Sequence, residues 1–103
     1  MDKVIQEILS FRDARDWEQF HNPKDLALAL NIESAELLEN FLWKKADEAK
    51  EAKVAEELAD VLIYSYLIAH HYGLNVDEII LDKLKDKYPI VMLVSTVNQS
   101  QQV

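Results

Sequence analysis

Residues 58–67 read LADVLIYSYL, a stretch that is apolar on nearly every side when it is placed on a helix. Residues 26–30, LALAL, share this property. A helix that is apolar all round has to be buried on all sides. A single domain of 103 residues has only a modest core, and its own helices do not easily enclose both stretches. We therefore expect an all-α fold that a second subunit completes as a homo-oligomer.

The composition supports long helices, because half of the residues are hydrophobic and the chain has one Gly and two Pro. The first helix is expected over residues 2–19 and the second from Pro23, capped by Asn22, to about residue 45. Residues 45–53 form either a connection or the opening turns of a third helix, which Gly73 ends. A fourth helix begins at Asn75 or Asp77 and ends at Tyr88-Pro89. We expect one helical domain over residues 1–89, followed by a tail, residues 90–103, of uncertain structure.

The net charge and the absence of long apolar stretches restrict which partners the protein can bind. A formal net charge of −8 argues against binding to nucleic acid polymers, which need a basic surface, but it leaves room for a single nucleotide held with a metal. No stretch approaches 18 apolar residues, the N-terminal residues lack the blocks of a signal peptide, and the chain has no cysteine. We expect a cytoplasmic protein that does not contact a membrane.

Two pairs of acids interrupt faces that are otherwise suited to a core. Glu33 and Glu36 lie three residues apart, as do Glu57 and Asp60, so each pair projects from one side of its helix. Unpaired buried carboxylates cost several kcal/mol, whereas a hard cation such as Mg²⁺ or Mn²⁺ binds them readily. These four acids are the candidate metal ligands and catalytic residues. In a chain with 19 acids, such pairs also arise by chance on solvated faces.

At these residues the sequence resembles a known family. Glu33, Glu36, Glu57 and Asp60 fit the Glu-Glu-x-x-Glu and Glu-x-x-Asp motifs of the MazG-like all-α nucleoside triphosphate pyrophosphohydrolases, with Ile32 in place of the first Glu. The dCTP pyrophosphatase branch is more similar still, through Phe11, residues 15–21 (RDWEQFH), residues 41–43 (FLW) and residues 60–64 (DVLIY). The likeness spans roughly residues 5–89. The basic segment that often follows Tyr-Pro in the family is replaced here by an apolar and Gln-rich tail.

The resemblance implies a four-helix MazG-like bundle that forms a dimer or a tetramer built from two dimers. It implies Mg²⁺-dependent cleavage of deoxynucleoside triphosphates between the α and β phosphates, with dCTP the first candidate, in house-cleaning of the nucleotide pool. Mn²⁺ is a possible substitute for Mg²⁺. The four acids would hold the metal, and one carboxylate would accept the proton of the attacking water.

Several other side chains are candidates for binding the substrate. Trp17 and His21 lie four residues apart and, with Trp43, form an expected aromatic slot for a base, where stacking is worth about 1–3 kcal/mol. Tyr64, one turn after Asp60, is expected to pack against the sugar. Lys83 is a candidate phosphate partner, together with Lys44, Lys85 and Lys87. Core packing accounts equally well for the rings, and solvation accounts for the lysines.

Two rival functions stay open on the sequence. The first is a non-catalytic helical dimerisation module that binds a metal or a partner helix. The second is a house-cleaning enzyme that acts on modified nucleotides with the same carboxylates and a different slot.

Overall fold

The computed structural model describes residues 2–42, 45 and 49–85. Four α-helices occur in this part of the chain: α1 (Asp2–Ala14), α2 (Pro23–Glu39), α3 (Glu51–His71) and α4 (Val76–Lys85). A short 3-10 helix, Glu18–Phe20, lies between α1 and α2. No strand occurs among the described residues, so the predicted all-α class is confirmed. None of the described helices is both long enough and apolar enough to cross a membrane.

The predicted helix caps are confirmed. The Asn22 side chain accepts a hydrogen bond from the backbone N–H of Asp25 at 2.9 Å, and Pro23 occupies the first helical position of α2. The Asn75 side chain likewise accepts from the backbone N–H of Glu78 at 3.0 Å before α4. Gly73 has a φ of +67°, the left-handed conformation that ends a helix at low cost, two residues after the end of α3.

The first helix ends earlier than predicted, at Ala14 and not at residue 19. Asp16 adopts a left-handed φ of 57°, and the N–H of Trp17 donates to the carbonyl of Arg12 at 3.1 Å. This hydrogen bond closes the helix end in the way a glycine usually does, and Asp is one of the few other residues that tolerate the conformation. The chain therefore turns before Trp17 instead of carrying it on α1.

The second helix is also shorter than predicted, since it ends at Glu39 and not near residue 45. The side-chain amide of Asn40 donates to the carbonyls of Glu36 and Leu37 at 3.3 and 3.4 Å, and so competes with the backbone for these acceptors. The third helix begins at Glu51 after an extended Lys50, so the described residues before it belong to a connection. The predicted end of α4 at residues 88–89 lies outside the described residues.

The chain divides into two compact units, residues 1–73 and residues 74–103. In the first unit α2 packs along α3, and α1 also contacts α3. The core of this unit contains Leu26, Leu67 and Ala69, each at most 5% exposed. The second unit contains α4, whose described side chains are exposed except for the half-buried Val76. The domain boundary predicted at residue 89 lies outside the described residues and stays a prediction.

Many large apolar side chains of the first unit remain on the surface. On α2, Leu28 and Ile32 lie one turn apart and both are more than half exposed. On α3, Leu58 and Leu62 form a similar exposed pair. Large exposed apolar patches usually mark an interface, so these pairs are candidates for contact with another subunit.

Candidate functional site

Three of the predicted acids meet where α2 packs against α3. Carboxylate oxygens of Glu33, Glu36 and Glu57 lie within 4.8 Å of one another. Glu33 and Glu36 are half-buried, and Glu57 is only 7% exposed. The spacing of three residues on α2 directs both of its acids toward α3, as the helical period requires. We refer to these three residues as the acidic cluster.

The cluster places three carboxyl groups close together where water reaches them only in part. Burial raises the pKa of Glu33 to about 7, and a hydrogen bond with Glu36 and the charges of Glu36, Asp60 and Glu57 act in the same direction. Oε2 of Glu33 and Oε2 of Glu57 are buried and have no hydrogen-bond partner in the part of the chain that the structure describes. An all-oxygen set with unsatisfied buried atoms suits a hard divalent cation. The cluster can therefore hold a metal ion.

Asp60, the fourth predicted acid, lies outside this close group of three but still acts on it. Burial raises the pKa of Glu33 and that of Tyr64, one turn further along α3, and the charge of Asp60 adds to both shifts. Asp60 also lines a cavity of about 630 Å³. The residue thus connects the acidic cluster with a space large enough for a small-molecule ligand.

The cavity brings together side chains from α1, from the turn that follows it and from α3. We call it the aromatic cavity. Three of the predicted substrate-binding residues, Trp17, His21 and Tyr64, line it beside Asp60. The rest of its wall consists of Glu7, Ile8, Ser10, Phe11, Arg12, Ile63 and Leu67. Trp43 lies outside the described residues, and Lys83 is an exposed residue of α4 in the second unit, so both assignments stay predictions.

An aromatic and cationic cluster holds Trp17 in place. Its ring meets Phe11 edge to face, with centroids 5.7 Å apart. The Arg15 guanidinium lies 3.3 Å from the centroid of Phe11, and its Nη1 donates to the Phe11 carbonyl at 3.1 Å. Trp17 remains 44% exposed, so much of its surface is available to a ligand.

Two polar groups of the cavity are neutral near pH 7. Burial and the charge of Arg12 lower the pKa of His21 below its ordinary value, which keeps the imidazole unprotonated. Burial and the charges of Glu33 and Asp60 raise the pKa of Tyr64, which keeps its phenol protonated. The cavity therefore offers hydrogen-bonding groups without charge beside an acidic cluster.

Sequence reasoning missed two cations near the site. Arg12 lines the aromatic cavity and also a neighbouring polar cavity of about 300 Å³, and its side chain is only 12% exposed. Arg12 lies seven residues after Ile5 and four after Ile8, so it shares the apolar face of α1 with them. A charged residue on that face could have indicated its role from the sequence. Lys53 lies 3.2 Å from Oε1 of Glu57. Lys53 precedes Glu57 by four residues on the same helix, and this spacing could have indicated the ion pair from the sequence.

Three comparisons relate the chain to known proteins. Residues 28–96 match the model of the MazG-like family. The dCTP pyrophosphatase 1 of Mus musculus is 37% identical over an alignment of 91 residues, and the match covers 78% of this chain and 54% of the mouse protein. That of Homo sapiens is 39% identical over 90 residues, covering 77% of this chain and 53% of the human protein. The chain spans about half the length of the curated relatives it matches.

A solved structure extends the comparison to the fold. A pyrophosphatase from Archaeoglobus fulgidus DSM 4304 is 37% identical and superposes with a TM-score of 0.79, covering 86% of this chain and 92% of that chain. The family model matches two thirds of the residues and includes both acidic pairs. The chain belongs to the MazG-like family.

Proposed function

We propose that this protein is a metal-dependent pyrophosphohydrolase that cleaves deoxynucleoside triphosphates to the monophosphate and pyrophosphate, with dCTP as the first candidate substrate. The observation that carries the proposal is the position of Asp60. It lies beside the acidic cluster and also lines the aromatic cavity, so a nucleotide can place its base in the cavity and its phosphates at the acids. The names of the relatives support the same reaction.

The four acids would hold the metal, with Mg²⁺ the first candidate and Mn²⁺ a substitute. A bound divalent ion supplies Lewis-acid chemistry, which neutralises phosphate oxygens and lowers the pKa of water. A water molecule would add its oxygen to one of the two phosphorus atoms of the α–β anhydride while a carboxylate accepts its proton, and the bond from that phosphorus to the bridging oxygen would break, which gives the monophosphate and pyrophosphate. The chain's own contribution is to fix the acids on two packed helices beside the cavity.

The aromatic cavity would take the nucleoside. Trp17 offers an exposed aromatic face, and base stacking on such a face is worth about 1–3 kcal/mol. Tyr64 lines the cavity one turn along α3 from Asp60, which suits contact with the sugar. Trp43 and Lys83 are the remaining candidates for the base and the phosphates.

The proposal is tested by incubating the protein with a panel of deoxynucleoside and ribonucleoside triphosphates in Mg²⁺ and following the products by phosphorus NMR. The expected result is monophosphate and pyrophosphate, with dCTP among the best substrates and no turnover in chelator. Including modified deoxynucleotides in the panel distinguishes dCTP hydrolysis from the house-cleaning alternative. If the alternative holds, a modified deoxynucleotide will be hydrolysed faster than dCTP. Metal binding without turnover of any nucleotide would instead identify a non-catalytic module.

A homo-oligomer, either a dimer or a dimer of dimers, is part of the proposal. The exposed pairs Leu28 and Ile32 on α2 and Leu58 and Leu62 on α3 support it, because burying the exposed half of each side chain contributes roughly 1 kcal/mol. The cytoplasmic location expected from the sequence stays a prediction.

A further inference from the structure

We propose that Lys53 is a triphosphate-binding residue that rests on Glu57 until metal and nucleotide bind. This inference deepens the proposed function, on which it rests, by naming a residue that would recognise the polyphosphate. It starts from an ion pair at the edge of the acidic cluster. The ammonium of Lys53 lies 3.2 Å from Oε1 of Glu57 and 3.6 Å from Oε2 of Glu56.

The two ends of this ion pair lie in different environments. The Glu57 side chain is 9% exposed, whereas the Lys53 side chain is 54% exposed and reaches the carboxylate from the solvent side. Among the described ion pairs, this is the one that places a cation on the acidic cluster. The other oxygen of Glu57, Oε2, is buried without a hydrogen-bond partner in the described residues. Lys53 therefore compensates only part of the buried charge.

A metal ion in the cluster would compete with Lys53 for Glu57. Both are cations that need the same carboxylate, and a divalent ion carries twice the charge on a smaller radius. The lysine has a flexible four-carbon stem and its side chain is more than half exposed, so it can leave Glu57 without unpacking a core contact. Displaced from the carboxylate, its ammonium remains one helical turn from Glu57.

The face of α3 on which Lys53 lies indicates how its ammonium would reach the phosphates of a bound nucleotide. Lys53, Glu57, Asp60 and Tyr64 follow one another at spacings of four, three and four residues, so they lie on one stripe of the helix. Tyr64 lines the aromatic cavity at one end, the acids follow, and Lys53 lies at the other end. From Asp60 to Lys53 the helix rises about 10 Å, at about 1.5 Å per residue. A nucleotide whose base occupies the cavity therefore extends its phosphates along this stripe toward Lys53.

The test is calorimetry on the full chain, with the variants Lys53→Met, Lys53→Gln and Lys53→Arg. Lys24→Met, an equal change of charge at an exposed position in the first turn of α2, is the matched control. One titration measures Mg²⁺ binding to the nucleotide-free protein. A second measures inorganic tripolyphosphate, and a third measures α,β-imido-dCTP, both at saturating Mg²⁺. Circular dichroism confirms that each variant keeps its helices.

Removal of the lysine should have opposite effects on the two kinds of ligand. Lys53→Met and Lys53→Gln should bind Mg²⁺ roughly 3–10-fold tighter, because the competing cation is gone. They should bind both triphosphate probes about 10-fold more weakly, because a charge-assisted contact is lost. Lys53→Arg and Lys24→Met should behave like the unmodified protein. Unchanged Mg²⁺ affinity in the two neutral variants, or unchanged affinity for both triphosphate probes, would overturn the proposal.

These titrations need no turnover, so they separate this inference from the proposed function. If the unmodified protein releases pyrophosphate from no nucleotide, the proposed activity fails. The effect of Lys53 on tripolyphosphate binding is still measured in that case. If pyrophosphate is released and the Lys53 variants bind all three ligands normally, the activity stands and Lys53 is a surface residue.

Discussion

The rings of Phe11 and Trp17 meet edge to face with their centroids 5.7 Å apart. The contact fixes Trp17 after the left-handed turn at Asp16, so that it lines the aromatic cavity while 44% of its surface stays exposed. A side chain held in this way presents its ring to a ligand without having to become ordered on binding. The entropy cost of binding is correspondingly smaller.

We expect Trp17→Ala to raise KM for dCTP by about tenfold and to change kcat little. The physical reason is that the ring contacts the base equally in the ground and transition states, and that stacking is worth about 1–3 kcal/mol. Trp43→Ala should act in the same way if it completes the slot. Steady-state kinetics measure both constants.

Phe20→Ala is the matched control for Trp17→Ala. Phe20 is an aromatic residue of the same turn, 64% exposed, and it is not part of the cavity wall. Its variant should keep the original KM. If Trp17→Ala leaves KM unchanged in a folded protein, Trp17 is a packing residue and the base binds elsewhere.

Substitution of the acids should chiefly lower kcat. We expect Glu36→Gln, Glu57→Gln and Asp60→Asn each to lower kcat by at least about 10²-fold, because each loses a ligand or a charge that acts on the reacting phosphate. The helical content should persist, since a neutral isostere relieves repulsion among the acids. Pyrophosphate release and circular dichroism give the two readouts.

Glu39→Gln controls for the acid substitutions, because Glu39 is an exposed acid one turn beyond Glu36 on the same helix. Its variant should retain nearly full activity. A chelator should abolish the activity of the unmodified protein, and added Mg²⁺ or Mn²⁺ should restore it. Full activity of the Glu36, Glu57 and Asp60 variants would remove the acids from the mechanism.

The shifted pKa of Glu33 predicts how stability depends on pH in the absence of metal. Its pKa rises from 4.5 to about 7 on folding, so between these two values the folded state holds a proton that the unfolded chain has released. The free energy of unfolding should therefore be highest near and below pH 4.5, as far as this group is concerned, and should fall as the pH rises toward 7. Thermal unfolding in EDTA across this range measures the trend.

Mg²⁺ should reverse this trend, because a metal binds the ionised carboxylates and releases the proton. The increase in Tm on addition of Mg²⁺ should grow from pH 5 to pH 8. Glu33→Gln removes the titrating group, so its metal-free Tm should depend less on pH than that of the unmodified protein. An equally steep decline in Glu33→Gln would assign the effect to other groups.

The helices were predictable from the sequence because their signals are local. Asn22, Pro23 and Gly73 act through their own backbone and side chains, and the structure places each as predicted. The predicted end of α1 was wrong because Asp16 adopts a left-handed conformation that glycine usually supplies. The residue type alone does not indicate this conformation. The predicted end of α2 was wrong because the side-chain amide of Asn40 competes with backbone N–H groups for the carbonyl acceptors of the last turn.

The site was predictable only in part. The spacing of the acids indicates which pairs share a helix face, but only the packing of α2 on α3 shows that Glu33, Glu36 and Glu57 converge more closely than Asp60. Arg12 and Lys53 escaped notice because charged residues on a helix are usually solvated. The position of Arg12 in the cavity wall depends on how α1 packs against α3, and the role of Lys53 depends on the burial of Glu57, and spacing alone gives neither.

The exposed apolar pairs predict an obligate assembly. We expect light scattering to show a dimer or tetramer at micromolar concentration, and Leu28→Glu or Leu62→Glu to shift it toward monomers, since each places a charge in an apolar interface. Gln6→Glu, which adds the same charge at an exposed position of α1, should leave the assembly intact. A stable, active monomer of the unmodified protein at this concentration would contradict the prediction.

The residues of α3 in the cavity wall predict how strictly the proposed activity would distinguish deoxynucleotides from ribonucleotides. Tyr64, Ile63 and Leu67 line the cavity from the same helix as Asp60, and the phenol of Tyr64 stays protonated. An apolar surface rejects an added hydroxyl by only about 10²-fold, so kcat/KM for CTP should be lower than for dCTP by that factor or less. Tyr64→Ala should reduce the ratio toward one by opening space beside the sugar, while Tyr64→Phe should preserve it because the ring remains. A ratio above 10⁴ in the unmodified protein, or a ratio unaffected in Tyr64→Ala, would show that a polar group outside this wall selects the sugar.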